Sequence, residues 1–230
     1  MYKKVLNVVL SVLLLAIVCF SVTYLNSSKM ASTSPETGYK VAIDPGHGGN
    51  DPGKVGVNGE EEKGINLEIA YKLKKCLENE GIEVVLTRTD DNGLYEESDT
   101  NKKASDMKKR CEIITQEAVD IVVSIHQNSY TDREVNGAQV FYYTHSVKGQ
   151  KLADCIQTQI KNLVDKDNNR PIKANNSYYI LIHTPCPTVI VECGFLSNPT
   201  EAESLCDEAY QESIAKAITA GVLDFLASND

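Results

Sequence analysis

Tryptophan is absent from the 230 residues, and phenylalanine occurs only four times. Proteins that grip sugar rings commonly stack them on broad aromatic planes, so the missing indoles count against a stacking carbohydrate-binding module. Eleven tyrosines are the main aromatic surface that remains. Basic stretches interleaved with aromatics are missing as well. Lys and Arg total 23 against 32 Asp and Glu, a formal net charge of -9. A polyanion such as nucleic acid needs a basic footprint, and this chain lacks one. The seven cysteines form no C-x-x-C pair and keep no regular spacing, which excludes a zinc ribbon and a thioredoxin motif. Cys76, Cys111 and Cys155 fall in predicted helices, where they read as small buried hydrophobes. The sequence shows no internal repeat, and a second domain is not expected from it.

Charge is also absent from the run Val5–Leu25, which is apolar apart from Asn7, Ser11, Ser21 and Thr23 and follows Lys3 and Lys4. About twenty apolar residues suffice for a helix to cross a bilayer, and the basic flank places its start on the cytoplasmic side. A signal anchor and a cleaved signal peptide compete as readings; the length and the lack of an Ala-x-Ala site favour the anchor. Both export the remainder of the chain. Residues 26–38 are rich in Ser and Thr with one Pro and one Gly, a linker composition. The expected organisation is therefore a membrane segment over 1–25, a linker over 26–38 and one folded domain over 39–230, extracytoplasmic and either anchored or secreted.

From Tyr39 onward, short β-branched runs alternate with amphipathic ones. YKVAID, IEVVLTR, DIVVSIH, AQVFYYT and PTVIVECGF read as strands. Helices are predicted over 64–81, 100–118 and 147–165, after Ser197 or Asn198, and over 210–226, with Gly81 ending the first. SYYILIH is ambiguous. Buried strands alternating with helices predict an α/β fold: a mostly parallel or mixed twisted sheet with helices on both faces.

Two strands end in histidine. The first runs into Asp44-Pro45-Gly46-His47-Gly48-Gly49, the third into Ser124-Ile125-His126. The glycine-rich turn is not a phosphate loop, because it lacks both the following Lys-Ser/Thr and the G-x-G-x-x-G pattern. Ligand sites in open α/β sheets lie beyond the carboxyl ends of the strands, so both imidazoles face one space if their strands are neighbours. Glu60-Glu61-Glu62 closes the loop that His47 opens, and either a helix-start acidic cluster or a metal ligand explains it. Two His and one Glu form a familiar catalytic Zn²⁺ set with a fourth position for water. Glu192 ends the apolar run Val189-Ile190-Val191. A carboxylate there costs free energy unless a cation or a proton compensates; it is either a general base beside a metal or the partner of a cation such as Arg88.

The motifs DPGHGGNDPG, EKGINL, LTRTD, SIHQNS and VECGFLSNP, in this order, resemble the N-acetylmuramoyl-L-alanine amidase family of zinc hydrolases, the amidase-3 type. The resemblance covers Lys40 to Leu226. It implies one Zn²⁺ held by His47, Glu62 and His126, with Glu61 the alternative in the run of three glutamates, and Glu192 as the catalytic base. It implies peptidoglycan as substrate, cut between muramic acid and L-alanine. KANNSYYIL and YQESIAKAI resemble the spore-cortex subgroup, which implies a part in muramic-δ-lactam formation and germination. A lipoprotein activator is conceivable for that subgroup, although no residue here specifies one. His145 and His183 match no ligand position and read as surface histidines, Arg88 and Asp90 as a structural pair, and Asn128 as a group that orients substrate or supports His126. The rival readings are a carboxypeptidase-like zinc enzyme, for which no carboxylate-clamping Arg is evident, and a non-catalytic wall-binding module, against which Glu192 argues.

Overall fold

Runs rich in β-branched or aromatic residues form β1 (Lys40–Pro45), β2 (Glu83–Leu86), β3 (Ile121–Asn128), β4 (Gln139–Tyr143) and β6 (Thr188–Phe195), joined at one edge by the short β5 (Lys173–Asn175). The computed structural model describes Tyr2 and residues 38–228. The apolar run Val5–Leu25 and, except for Gly38, the linker lie outside the described residues. Among the described residues no helix is long and apolar enough to cross a membrane.

The sheet has six strands in the order β2-β1-β3-β6-β4-β5. β2, β1, β3 and β6 run parallel, whereas β4 is antiparallel to β6 and β5 follows β4 in parallel. The sheet is mixed. β5 had no legible pattern, since KAN is three partly exposed residues with no apolar alternation. The ambiguous SYYILIH is a short helix, α4 (Tyr179–His183).

The other helices are α1 (Glu62–Asn79), α2 (Lys102–Gln116), α3 (Val147–Leu163), α5 (Pro199–Leu205) and α6 (Glu208–Ala227). Gly81, at φ 79, follows the end of α1 in the left-handed conformation that a stop glycine supplies. Asn198 is the cap of α5; its side chain accepts from the backbone N–H groups of Thr200 and Glu201, ahead of Pro199 in the first turn.

Period-two alternation divides the strands between two apolar clusters. Val41, Ile43, Ile121, Val123, Ile125, Val189 and Val191 pack with α1, α3 and α6 into the larger one. Ala42, Val122, Phe141 and Ile190 pack with Cys111 and Ile114 of α2 and Ile180 and Leu181 of α4 into the smaller. Helices therefore cover both faces, as expected. Along the smaller face the alternate residues change from apolar to polar toward the carboxyl ends: Ala42 to Asp44, Val122 to Ser124 and His126, Ile190 to Glu192. These polar residues define where a site can lie. All six described cysteines are free thiols.

Candidate metal centre

β1 and β3 are neighbours, with Pro45 opposite Ile125, so the turn leaving β1 and the end of β3 do meet. The His47 and His126 rings lie 5.0 Å apart, edge to face. Glu62, the first residue of α1, enters between them. Its Oε2 lies 3.2 Å from His47 Nε2, and its Oε1 lies 3.0 Å from His126 Nδ1. One donor atom from each of His47, Glu62 and His126 lies within 4.8 Å of the others, a set that can hold a metal ion. Glu61 is not brought there; it is half exposed and pairs with Lys63 at 3.3 Å.

Glycine is required where these side chains converge. A Cβ on Gly46 would meet the His126 ring at 2.2 Å, and one on Gly53 would meet Glu62 Oε2 at 2.5 Å. The glycines thus admit the opposing donor side chains. Each belongs to a repeated Asp-Pro-Gly triplet, at 44–46 and 51–53. His47 itself adopts φ 63, a left-handed conformation that costs a non-glycine residue about 1 kcal/mol or more.

The carboxylate of Glu62 is fixed on both oxygens. The backbone N–H of Lys54 donates to Oε2 at 2.8 Å and that of Gln127 to Oε1 at 3.0 Å. Burial opposes ionisation, but the bonds from His126 and His47 outweigh it and hold the carboxyl far below the usual carboxylate range. His47 is pushed the other way: burial disfavours its charge, yet Glu62 and Asp51 raise its pKa. Asp51 Oδ2 lies 2.9 Å from His47 Nδ1. This carboxylate orients the ring and leaves Nε2 for the centre, an arrangement common around metal-bound histidine. Asp51 was missed in the sequence, where its signal was its place in the second Asp-Pro-Gly triplet.

β6 pairs with β3 so that Glu192 lies directly opposite His126. Among the described residues Glu192 Oε2 is one of two buried side-chain polar atoms with no hydrogen-bond partner, Gln127 Oε1 being the other. Burial pushes the Glu192 carboxyl up to about 7; His126 draws it down and Glu62 pushes it up. The expected alternative, a pairing with Arg88, does not occur. Arg88 Nε instead donates to the Pro45 carbonyl at 2.8 Å, and Nη1 reaches the Asp90 backbone carbonyl, not its carboxylate. Asn128 lines the cleft, with its side-chain oxygen turned to the Ser129 N–H. His145 and His183 are exposed and stand apart from this cluster, each packed on a tyrosine.

The cleft over this centre has a volume of about 710 Å³. Lys54, Lys102 and Lys103 lie along it, and so do Tyr178 and Tyr179. Two imidazoles and a carboxylate beside a buried carboxyl poised near neutrality form the donor set of a metal-assisted hydrolase. The donor chemistry fits Zn²⁺, which takes nitrogen and oxygen ligands, and the unpartnered Glu192 oxygen lies beside this set.

Residues 41–224 match the N-acetylmuramoyl-L-alanine amidase family, and the chain belongs to it. The germination-specific N-acetylmuramoyl-L-alanine amidase of Bacillus subtilis is 32% identical over 203 residues, covering 87% of this chain and 85% of that protein. Among solved structures, the CwlD amidase from Clostridioides difficile in complex with the GerS lipoprotein is 40% identical with a TM-score of 0.80, covering 83% of this chain and 99% of that one. An N-acetylmuramoyl-L-alanine amidase from Clostridium difficile 630 is 34% identical, TM-score 0.75, over 86% of this chain and 100% of its own. The chain is an amidase of this class.

Proposed function

We propose that this amidase is zinc-dependent, acts on peptidoglycan outside the cytoplasmic membrane, and uses His47, Glu62 and His126 as ligands with Glu192 as general base. The observation that carries the reading is the unpartnered Oε2 of Glu192, buried opposite His126 beside a carboxylate already shared by two imidazoles. An isolated buried carboxyl of this kind is costly, and a role in proton transfer accounts for it.

Zn²⁺ bound there supplies Lewis acidity, lowering the pKa of water and polarising the scissile carbonyl. Glu62 contributes the negative charge of the ligand set and stays ionised at any physiological pH. Asp51 holds the His47 ring through Nδ1. Glu192 takes a proton on its free oxygen as water attacks the lactyl carbonyl, then delivers it to the departing amine of L-alanine. Burial raises the Glu192 carboxyl above the ordinary carboxylate range in the metal-free protein, which makes it a better proton acceptor than an exposed carboxylate and still able to release the proton to an amine.

A part in spore-cortex maturation deepens this reading. Its support is the likeness to the germination-specific amidase and to the CwlD amidase. In that role the enzyme removes the peptide from muramic acid residues that are later cyclised to muramic-δ-lactam. The clostridial relative was solved with a lipoprotein, and a lipoprotein partner is proposed here on that likeness. The apolar run Val5–Leu25, behind Lys3 and Lys4, is the proposed export and anchoring segment, and fractionation that finds the domain in the cytoplasm would remove it.

The activity test is mass spectrometry of peptidoglycan incubated with the purified full chain. Free stem peptides beginning at L-alanine, appearing only when zinc is present, are expected. Fragments cut elsewhere in the peptide would point to the carboxypeptidase-like alternative. A deletion strain whose cortex keeps normal muramic-δ-lactam would reject the cortex role while leaving the amidase in place.

A further inference from the structure

Two arginines outside the proton-transfer chemistry are buried behind the His47 turn: Arg88 is 3% exposed and Arg110 1%. One follows β2 and the other lies on α2, yet between them they reach three successive carbonyls, sharing that of Pro45. Arg88 donates to the carbonyls of Pro45 (2.8 Å) and Gly46 (3.0 Å), and also to that of Lys63 beside Glu62 (2.7 Å). Arg110 Nη1 donates to the Pro45 carbonyl at 2.7 Å and its Nη2 to the carbonyl of His47. Arg110 is in turn held by two carboxylates, Asp44 Oδ1 at 2.7 Å and Asp106 Oδ2 at 2.6 Å. Thr87 and Ser124 donate their hydroxyls to Asp44. The Asp106 carboxylate also accepts from the Leu94 N–H at 2.7 Å.

We propose that Arg110 is a positioning residue for the metal centre: by spanning the Pro45 and His47 carbonyls from an Asp44–Asp106 seat, it holds His47 in its left-handed, donor-presenting conformation. The inference rests on the reading of His47 as a ligand. Its physical basis is geometric. A residue at positive φ persists when its surroundings over-determine it, and a planar guanidinium can reach four acceptors that a single ammonium cannot. The arrangement is also specific to the turn. Arg110 serves the His47 backbone and the side chains that seat it, while the large apolar cluster lies on the other face of the sheet. Placing a second guanidinium beside the first is unfavourable by charge alone, and three carbonyls converging on one ligand turn account for the pair.

The test uses the full chain, stripped of metal and titrated with zinc against a competing chelator, with the visible spectrum of the cobalt(II)-loaded protein as a second readout. Arg110→Lys keeps the charge but loses the span; Asp106→Asn keeps the shape of the seat but loosens Arg110. Both are expected to melt cooperatively, to bind zinc at least about tenfold more weakly than the unsubstituted chain, as loss of outer-shell support commonly does, and to show an altered cobalt spectrum. Leu152→Ala, which weakens the opposite face, should leave zinc affinity and spectrum unchanged. If Arg110→Lys fails to fold, Asp106→Asn decides. Wild-type zinc affinity with an unaltered cobalt spectrum in a folded variant would overturn the positioning role. An unsubstituted chain that takes up neither metal would instead overturn the metal centre itself.

Discussion

The two faces of the sheet carry different kinds of sequence. On the face covered by α1, α3 and α6, the strand residues stay apolar along their length, from Val41 to Ile43, Ile121 to Ile125 and Val189 to Cys193. On the face covered by α2 and α4, the same strands start apolar and finish in Asp44, His126 and Glu192. A one-residue register slip would exchange the two sets, so the apolar face that stabilises the fold also aims the donors. The candidate metal centre sits where the smaller cluster gives out.

Substitutions should separate these regions. The largest effect on turnover is expected from His47→Ala and His126→Ala: both should lose zinc and hydrolysis together, because a three-ligand site missing one ligand holds metal poorly. Full zinc occupancy in either variant, read by elemental analysis, would remove that residue from the centre. Glu61→Ala should keep both properties.

A smaller, graded effect is expected from pH. In the proposed general-base role Glu192 must be ionised to accept a proton, so kcat/KM should fall about tenfold per pH unit below its pKa. The metal-free value is about 7, and a bound cation favours the ionised form, placing the acid limb at or below that pH. Linkage in the metal-free protein runs the other way. A carboxyl raised from its ordinary 4.5 to about 7 binds protons more tightly when folded. Its stabilising contribution is complete below about pH 4.5 and lost as pH rises through 7. Glu192→Gln should therefore raise the metal-free chain's stability over wild type at pH 8, by at most on the order of 3 kcal/mol, and much less at pH 5. Denaturant melts at the two pH values check this; a pH-independent difference would contradict it.

The smallest effect on turnover, and the sharpest contrast between the faces, belongs to Leu152→Ala. Leu152 is fully buried in the large cluster, and its truncation should cost about 2–5 kcal/mol of stability while leaving the turnover of the folded enzyme near wild type. A large loss of kcat under native conditions would show that the two faces are coupled.

The outline of the fold was legible because buried strands and amphipathic helices write their periods into the chain, and the histidines were legible because each ends such a strand. β5 was not, since an edge strand of three residues buries too little to leave a pattern. The resemblance favoured Glu62 with Glu61 as the alternative, and composition and spacing alone did not separate them: consecutive residues at a helix start point in different directions, and Glu62 meets two imidazoles while Glu61 meets Lys63. Asp51 and Arg110 escaped notice because their roles are to hold other groups. A carboxylate on the far nitrogen of a histidine and a guanidinium behind a turn have no spacing rule, and Arg110 reaches His47 from 63 positions away.

The central claim is that ligands and base are distinct groups, and zinc content and turnover measured on one sample of Glu192→Gln test it most directly. The substitution keeps the size of the side chain and removes its capacity to take a proton. About one zinc per chain, with turnover reduced by a factor on the order of 10²–10⁴, is the result expected. Near-normal turnover would contradict the general-base role, and loss of the zinc would make Glu192 a ligand.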